Sequence, residues 1–203
     1  MKTYMPLNGL RWSRNSGSAN CDMPQSAVFG RPGGGKLLAD YNRYKKLRNC
    51  GFLKLFIVYP EFRYQFLYRL RTNSPALRIL LKPLQLLSPL NLYINCSDID
   101  GGLFIEHGFS TIISCRHIGR NCWINQQVTI GYSDKTNCPY IGNNVEIKAG
   151  AKVIGGVKIG DDVIIGANAV VVKDVPSHSI VVGVPAKVIK TRNRITEKWT
   201  KVN

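Results

Sequence analysis

The sequence predicts a mainly β protein, in which a parallel β-helix over residues 92–190 follows an N-terminal α-helical segment. Three observations lead to this fold class. Aliphatic residues recur every six positions in the second half of the chain, glycine often follows them, and the preceding region spaces its apolar residues three and four apart. A period of six fits neither an α-helix, with about 3.6 residues per turn, nor a single strand, with a period of about two. It is the period of a hexapeptide β-helix.

The N-terminal half is predicted to contain two regions. Residues 1–35 are rich in Gly, Ser, Asn and Pro, and we expect a flexible N-terminal segment there. Residues 36–91 are expected to form a basic helical region, because "LLADYNRYKKLRNC" and "FLKLFIVYPEFRYQFLYRLR" place apolar and aromatic residues at helical intervals. At the other end, residues 191–203 are expected to form a short basic C-terminal tail.

Positive charge is concentrated in the first half of the chain. Residues 1–90 carry 15 of the 28 Lys and Arg residues but only 3 of the 12 Asp and Glu residues. This excess favours an anionic partner such as a lipid surface, although a solvated basic surface explains it equally well. Residues 36–91 are therefore predicted either to make a peripheral membrane contact or to form a helical cap on the rest of the protein. We predict no nucleic-acid binding, because no aromatic platform accompanies the charge.

The cysteines and histidines predict neither disulfides nor a metal site. The six cysteines show no metal-ligand spacing and are expected to be free thiols in a reducing cytoplasm. The three histidines, His107, His117 and His178, do not have the spacing of a three-histidine metal site. We therefore predict a cytoplasmic protein without a metal, with membrane association through the helical region as an option.

The β-helix prediction depends on two runs of six-residue steps. Each run places one aliphatic residue per hexapeptide, and a small or β-branched residue usually stands four positions later. The aliphatic positions are Ile118, Ile124 and Ile130 in the first run, and Ile141, Ile147, Val153, Ile159, Ile165 and Val171 in the second. Three hexapeptides make one triangular coil, and the aliphatic side chains are expected to stack inward as a continuous core.

Two breaks in the period locate candidate functional segments. The step from Ile130 to Ile141 predicts a loop at "YSDKTNCPY". Counting backward from Ile118 gives Ile112 and then Ile105, so that one extra residue falls at the segment around His107. Insertions in a β-helix go to its corners, where they leave the core undisturbed. We therefore expect His107 at a distorted, accessible corner and treat it as a candidate catalytic residue.

Several motifs carry a family resemblance. They are "GGLFIEHGFSTIIS", "IGRNCWINQQVTIG", "IGNNVEIKAGAKVIGGVKIGDDVIIGANAVVVKDVP" and the closing "VVGVPAKVIK". Over residues 92–190 the chain resembles the hexapeptide-repeat acyltransferases with a left-handed β-helix, and most closely their serine acetyltransferase-like branch. The upstream "YPEFRYQFLYRLR" resembles members found in surface-polysaccharide gene contexts.

The resemblance implies a homotrimer with active sites between neighbouring β-helices and acetyl-CoA as the co-substrate. The family's catalytic histidine falls on His107, and the acidic residue that helps to hold the acceptor falls on Glu106. Positions that line or bind CoA fall on Gly131, Ala149, Ala167 and Lys187. The expected activity is direct O-acetyl transfer, with His107 as the general base that accepts the hydroxyl proton.

The sequence differs from that of true serine acetyltransferases at the positions that pair with the histidine and bind the acceptor. Ungapped counting places Leu92 where the family has an acid that pairs with the histidine, and Asp98 or Asp100 is a candidate substitute. Asn137 and Cys138 stand where an Arg-His pair grips the amino-acid acceptor. A sugar hydroxyl of a surface-polysaccharide precursor is thus as reasonable an acceptor as L-serine. The alternative function is a non-catalytic trimeric β-helix that serves as a scaffold or membrane-surface module.

Overall fold

The computed structural model describes residues 34–73, 80, 91–96, 98–193 and 198–202. The flexible segment predicted for residues 1–35 lies outside the described residues, apart from its last two positions. Among the described residues, no helix is both long and apolar enough to cross a membrane.

Three helices form the N-terminal part of the described chain. They are α1 (Gly34–Arg48), α2 (Phe52–Val58) and α3 (Pro60–Asn73). Helix α1 buries Leu37, Tyr41 and Tyr44, which their spacing places on one face of the helix. It ends before Asn49, whose φ of 48° is the left-handed conformation that commonly terminates a helix.

Short strands make up the rest of the chain and form three sheets. The first sheet has the order β1-β3-β6-β9-β12, the second β10-β7-β4, and the third β15-β14-β13-β11-β8-β5-β2. The strands are β1 (Leu92–Asn95), β2 (Phe104–Ile105), β3 (Thr111–Ser114), β4 (His117–Ile118), β5 (Trp123–Ile124), β6 (Thr129–Gly131), β7 (Tyr140–Ile141), β8 (Glu146–Ile147), β9 (Lys152–Ile154), β10 (Lys158–Ile159), β11 (Ile164–Ile165), β12 (Val170–Val171), β13 (Ser179–Val182), β14 (Lys187–Arg192) and β15 (Trp199–Lys201). Strands β1 to β13 pair in parallel with strands one coil away, whereas β14 and β15 pair antiparallel to close the end of the third sheet.

The core of the β-helix is the predicted column of aliphatic side chains. All nine residues of the two six-residue runs are buried, and none is more than 2% exposed. The residues that precede them along each strand, such as Trp123 and Tyr140, point outward. The predicted fold class, a parallel β-helix with an N-terminal helical segment, is confirmed.

One position of the predicted core is wrong. Ile113, not Ile112, faces the interior: Ile113 is fully buried, Ile112 is 45% exposed, and Ile113 pairs in register with Ile130. The corner before β3 takes up one residue more than the count assumed, and the next corner, before Ile118, takes up one fewer. Two adjacent isoleucines made the two registers equally apolar, so that the period alone could not distinguish them.

A buried ion pair joins the helices to the first coil of the β-helix. Asp40 of α1 accepts hydrogen bonds from the backbone N–H groups of Gly102 and Leu103 at 2.7 and 2.9 Å. The same carboxylate accepts a 2.8 Å hydrogen bond from Nε of Arg69 on α3, and Arg69 also donates to the carbonyl of Asp100. Both charged residues are buried, so this network fixes how the helices sit on the β-helix.

An aromatic cluster completes this contact. The ring of Tyr44 lies 5.0 Å from that of Phe62 on α3 and 4.6 Å from that of Phe104 on β2, centroid to centroid. The Tyr44 hydroxyl donates to the carbonyl of Ile105 and accepts from its N–H. The helical segment therefore covers the outer face of β2, immediately before the predicted catalytic residue.

Candidate active site

His107 lies at the corner between β2 and β3, as predicted, and is exposed. The corner is tightly wound: His107, Gly108 and Ser110 have φ values of 64°, 46° and 50°. Left-handed conformations are uncommon for non-glycine residues, and several of them in one corner make a distinctive backbone. This geometry holds the imidazole outside the core, where it is accessible to a substrate.

The corners that follow β2, β5, β8 and β11 stack along one edge of the β-helix. The N–H of Gln127 donates to the carbonyl of Phe109, and the N–H of Gly150 donates to that of Gln126. In the same way, the N–H of Asn168 donates to the carbonyl of Ala149. His107, Ala149 and Ala167 therefore lie along the same edge, with Ala149 two coils and Ala167 three coils beyond His107.

The two other predicted CoA positions lie next to this edge. Gly131 ends β6 and is buried; the nearest atoms to a Cβ placed on it are about 4 Å away, on Thr129 and Ile154. Lys187 is exposed and begins β14, after a turn that follows β13 at the fifth corner of the same edge. The structure thus brings His107, Ala149 and Ala167 into one line, whereas Gly131 lies on an adjoining face and Lys187 at the far end.

Glu106, the predicted acceptor-binding residue, is held in place by its neighbours. One carboxylate oxygen accepts hydrogen bonds from Trp123 Nε1 at 3.2 Å and from Asn125 Nδ2 at 3.3 Å. The other oxygen lies 3.9 Å from Nη2 of Arg48. The side chain remains 24% exposed, so that a fixed carboxylate stands beside the histidine with part of its surface free for a ligand.

Two residues beside His107 were missed by sequence reasoning, Arg48 at the end of α1 and Glu61 at the start of α3. Nη2 of Arg48 lies 3.6 Å from Oε1 of Glu61, and its guanidinium group lies over the rings of Tyr59 and Phe104. Burial raises the pKa of the Glu61 carboxyl above its ordinary value, while the nearby Arg48 and His107 side chains act to lower it. Both residues belong to the helical region, and no local motif marks them.

A second histidine, His117 on β4, is hydrogen-bonded to Asp98. Nδ1 of His117 lies 2.6 Å from Oδ2 of Asp98, and the ring is stacked on Tyr140 with 4.6 Å between centroids. The hydrogen bond with His117 holds the pKa of Asp98 below its ordinary range. Asp98, a candidate partner for His107, is therefore the partner of His117, and Asp100 lies 3.1 Å from the ammonium group of Lys36.

The loop predicted for residues 132–140 is present between β6 and β7 over residues 132–139, and Tyr140 begins β7. It is organised by Asp134, whose carboxylate accepts hydrogen bonds from the N–H groups of Thr136 and Asn137 and from the Asn137 amide. These hydrogen bonds hold the pKa of Asp134 well below its ordinary range. Asn137, at one of the positions that differ from the family pattern, is thus engaged within the loop.

The repeat also matches a known family. Residues 138–173 match the family described as bacterial transferase hexapeptide, with six repeats. The coils, their stacked corners and this match identify the repeat as the hexapeptide repeat of that family over residues 138–173.

The chain is also similar in sequence to individual curated proteins. The chain is 50% identical over 93 residues to a serine acetyltransferase of Staphylococcus aureus (strain Mu50 / ATCC 700699), a match that covers 43% of each chain. It is 36% identical over 147 residues to a serine acetyltransferase of Synechococcus elongatus, covering 68% of this chain and 60% of the relative. The chain is therefore similar to serine acetyltransferases, and the resemblance predicted from the motifs is confirmed.

The fold is similar to that of a solved serine acetyltransferase structure. A crystal structure of the Brucella abortus serine acetyltransferase in complex with coenzyme A has a TM-score of 0.64 and 23% sequence identity, covering 78% of this chain and 68% of that one. The chain spans about half the length of the curated relatives it matches, between 43% and 60%.

Proposed function

We propose that the protein is an acetyl-CoA-dependent O-acetyltransferase in which His107 is the general base. The observation that carries the proposal is the edge on which His107, Ala149 and Ala167 lie in line. The small side chains of the two alanines leave room for an extended cofactor arm that ends near the imidazole. Similarity to serine acetyltransferases, one of them crystallised with coenzyme A, supports this cofactor.

The proposed reaction transfers an acetyl group directly from the sulfur of acetyl-CoA to a hydroxyl oxygen of the acceptor. Nε2 or Nδ1 of His107 accepts the proton of the acceptor hydroxyl while that oxygen attacks the thioester carbonyl. The carbon–sulfur bond then breaks, and the proton passes from the imidazolium to the departing thiolate. The products are an O-acetyl ester and CoA with a free thiol. Glu106, fixed by Trp123 and Asn125, is positioned to hold a second hydroxyl of the acceptor.

The acceptor is proposed to be a sugar hydroxyl of a surface-polysaccharide precursor, with L-serine as the alternative. A cation is a favourable partner for the carboxylate of an amino-acid acceptor, because charge-assisted hydrogen bonds are the strong ones. The loop over residues 132–139 carries a single cationic residue, the exposed Lys135, and the amide of Asn137 is engaged with Asp134. A neutral, hydroxyl-rich acceptor suits this loop better.

Assembly as a homotrimer is proposed from an exposed apolar face. Tyr93 and Ile112, paired in register on β1 and β3, are 54% and 45% exposed, and Val172, directly after β12, is 49% exposed. Exposed apolar side chains that adjoin one another, such as Tyr93 and Ile112, favour a surface that a neighbouring copy covers in the assembly. The trimer would place the corner edge of each β-helix next to a neighbouring copy, and the mass of the assembly in light scattering tests this.

The helical segment is proposed to contact anionic lipid at the membrane surface. Helix α2 exposes Leu53, Ile57 and Val58, which are 56%, 64% and 55% exposed, and Lys54 is exposed beside them. The two acidic residues among residues 34–73, at positions 40 and 61, are both buried, so the acidic side chains do not offset the Lys and Arg charge at the surface. Apolar side chains flanked by basic ones are the pattern of interfacial helices.

The activity is tested by following thiol release from acetyl-CoA with L-serine, then with sugars and nucleotide sugars as acceptors. We expect turnover with one acceptor class and a loss of ~10²–10⁴-fold in the His107→Ala variant. His117→Ala is the matched control, because it removes a histidine that is paired with Asp98 and lies outside the edge. If acetyl-CoA neither binds nor reacts and His107→Ala behaves like the parent, the scaffold function takes its place.

Membrane contact is tested by cosedimentation with vesicles. We expect binding to vesicles that contain phosphatidylglycerol, weaker binding to pure phosphatidylcholine, and weakening by salt. A Leu53→Ser/Ile57→Ser variant should bind less, whereas Val184→Ser, which removes an exposed apolar side chain from the β-helix, should not. Equal binding by all three proteins, or binding by none, would overturn the proposal.

A further inference from the structure

Glu61 occupies an unusual place for a carboxylate. It lies in the first turn of α3, is 4% exposed, and faces the corner that carries His107. Burying a carboxylate is costly unless cations and hydrogen-bond donors compensate it. The groups that face Glu61 are Arg48 from α1, with Glu106 and His107 from the corner.

Gly108 allows the helix to approach the corner closely. A Cβ placed on Gly108 would lie 3.3 Å from Cβ of Glu61 and 3.6 Å from Cδ2 of Leu92. Since position 108 has only a hydrogen there, the first turn of α3 packs directly against the residue that follows His107. Leu92, where counting from the family pattern expects an acid, packs against the same glycine as a buried apolar side chain.

Arg48 connects the two carboxylates that flank the histidine. Its Nη2 lies 3.6 Å from Glu61 and 3.9 Å from Glu106. The guanidinium group is held by the rings of Tyr59 and Phe104, so its position follows from the packing of the helices on β2. Arg48 therefore holds two carboxylates at the corner that carries His107, one from the corner itself and one from the helical segment.

We propose that Glu61 is the acidic positioning residue of His107, replacing the acid that Leu92 cannot supply. This inference rests on the proposed function. The carboxylate orients the ring and stabilises the imidazolium that forms when His107 accepts the hydroxyl proton. The helical segment is thereby part of the catalytic unit, and the β-helix alone lacks a complete site.

Kinetics of two Glu61 variants test the proposal. Glu61→Gln, which keeps the shape and removes the charge, should lower kcat by ~10- to 10³-fold with little change in KM for acetyl-CoA. It should also move the acidic limb of the kcat/KM profile to lower pH, because the imidazolium loses its counter-charge. Glu61→Asp should recover part of the loss. Parental kcat and pH profile in Glu61→Gln, or equal losses in both variants together with lower thermal stability, would overturn the positioning role.

A second measurement needs no turnover. Carbon-13 NMR of the Glu61 carboxyl in the whole protein should show a higher pKa in His107→Ala than in the parent, since the His107 side chain acts to lower it. His117→Ala is the control and should leave the titration unchanged. An unchanged titration in His107→Ala would refute the pairing even if the enzyme is active. A shifted titration without turnover on any acceptor would instead preserve the pairing and refute the proposed function.

Discussion

Replacing Asp40 with asparagine should detach the helical segment from the β-helix. Asp40 and Arg69 are 1% and 6% exposed, and their ion pair has a 2.8 Å contact. Asparagine keeps an oxygen for the N–H groups of Gly102 and Leu103, but it removes the negative charge that lies 2.8 Å from the buried guanidinium. Removing one partner of a buried pair costs about 3–5 kcal/mol. At about 2–4 °C per kcal/mol for a chain of this size, the Tm should fall by about 6–20 °C.

The measurement is thermal unfolding by circular dichroism, with limited proteolysis to show which part is released. Cleavage should appear first within residues 34–73, while the β-helix persists. Asp100→Asn is the matched control, because that carboxylate forms a partly exposed pair with Lys36 and should change stability by less than about 1 kcal/mol. Adding Arg69→Gln to Asp40→Asn should cost less than the sum of the two single changes. A fall in Tm of less than about 2 °C for Asp40→Asn, or strict additivity, would refute the reasoning.

Three further outcomes follow from the fold. Gly142→Ala places a methyl group 2.5 Å from a carboxylate oxygen and 2.8 Å from a backbone carbon of the next coil. It should lower the free energy of unfolding, measured in urea, by about 1–3 kcal/mol. Gly35→Ala is the control: its methyl group meets nothing within 4 Å, and the change should be neutral or stabilising. Ile113→Ala should lower the free energy of unfolding by about 2–5 kcal/mol, and Ile112→Ala by less than about 1 kcal/mol. The reverse order in a calorimetric comparison would show that Ile112 faces the core, as the six-residue period predicts. Ala167→Leu, at an exposed corner, should raise KM for acetyl-CoA in steady-state kinetics without lowering the Tm, and an unchanged KM would place the cofactor elsewhere.

The repeating part of the fold could be predicted because its determinants are local. Each hexapeptide carries its own inward aliphatic residue, and the nine predicted positions are buried. The prediction failed where the local signal was degenerate, at Ile112 and Ile113. There the corner conformation of His107, Gly108 and Ser110 decided the register, and residue type alone does not reveal how many residues a corner uses.

The candidate site was predictable only in part, for a related reason. His107 and Glu106 stand in the motif itself, and a break in the period marked them. Arg48 and Glu61 reach the site because the helices pack on Phe104 of β2, about 50 residues away along the chain. Their positions depend on tertiary packing, which a repeat pattern does not encode. A glutamate directly after a helix-initiating proline was the one available signal, and it also fits an ordinary helix start.

The stacked corners set distances in units of one strand spacing. Neighbouring coils are about 4.8 Å apart, so the corner of Ala149 lies about 10 Å and that of Ala167 about 14 Å from the corner of His107. This line lengthens or shortens by whole coils, because adding or removing a single hexapeptide, one third of a coil, would move every later corner to a different edge. A chain built on this plan can therefore alter its acceptor loop between coils, while the span available to a linear cofactor changes only in steps.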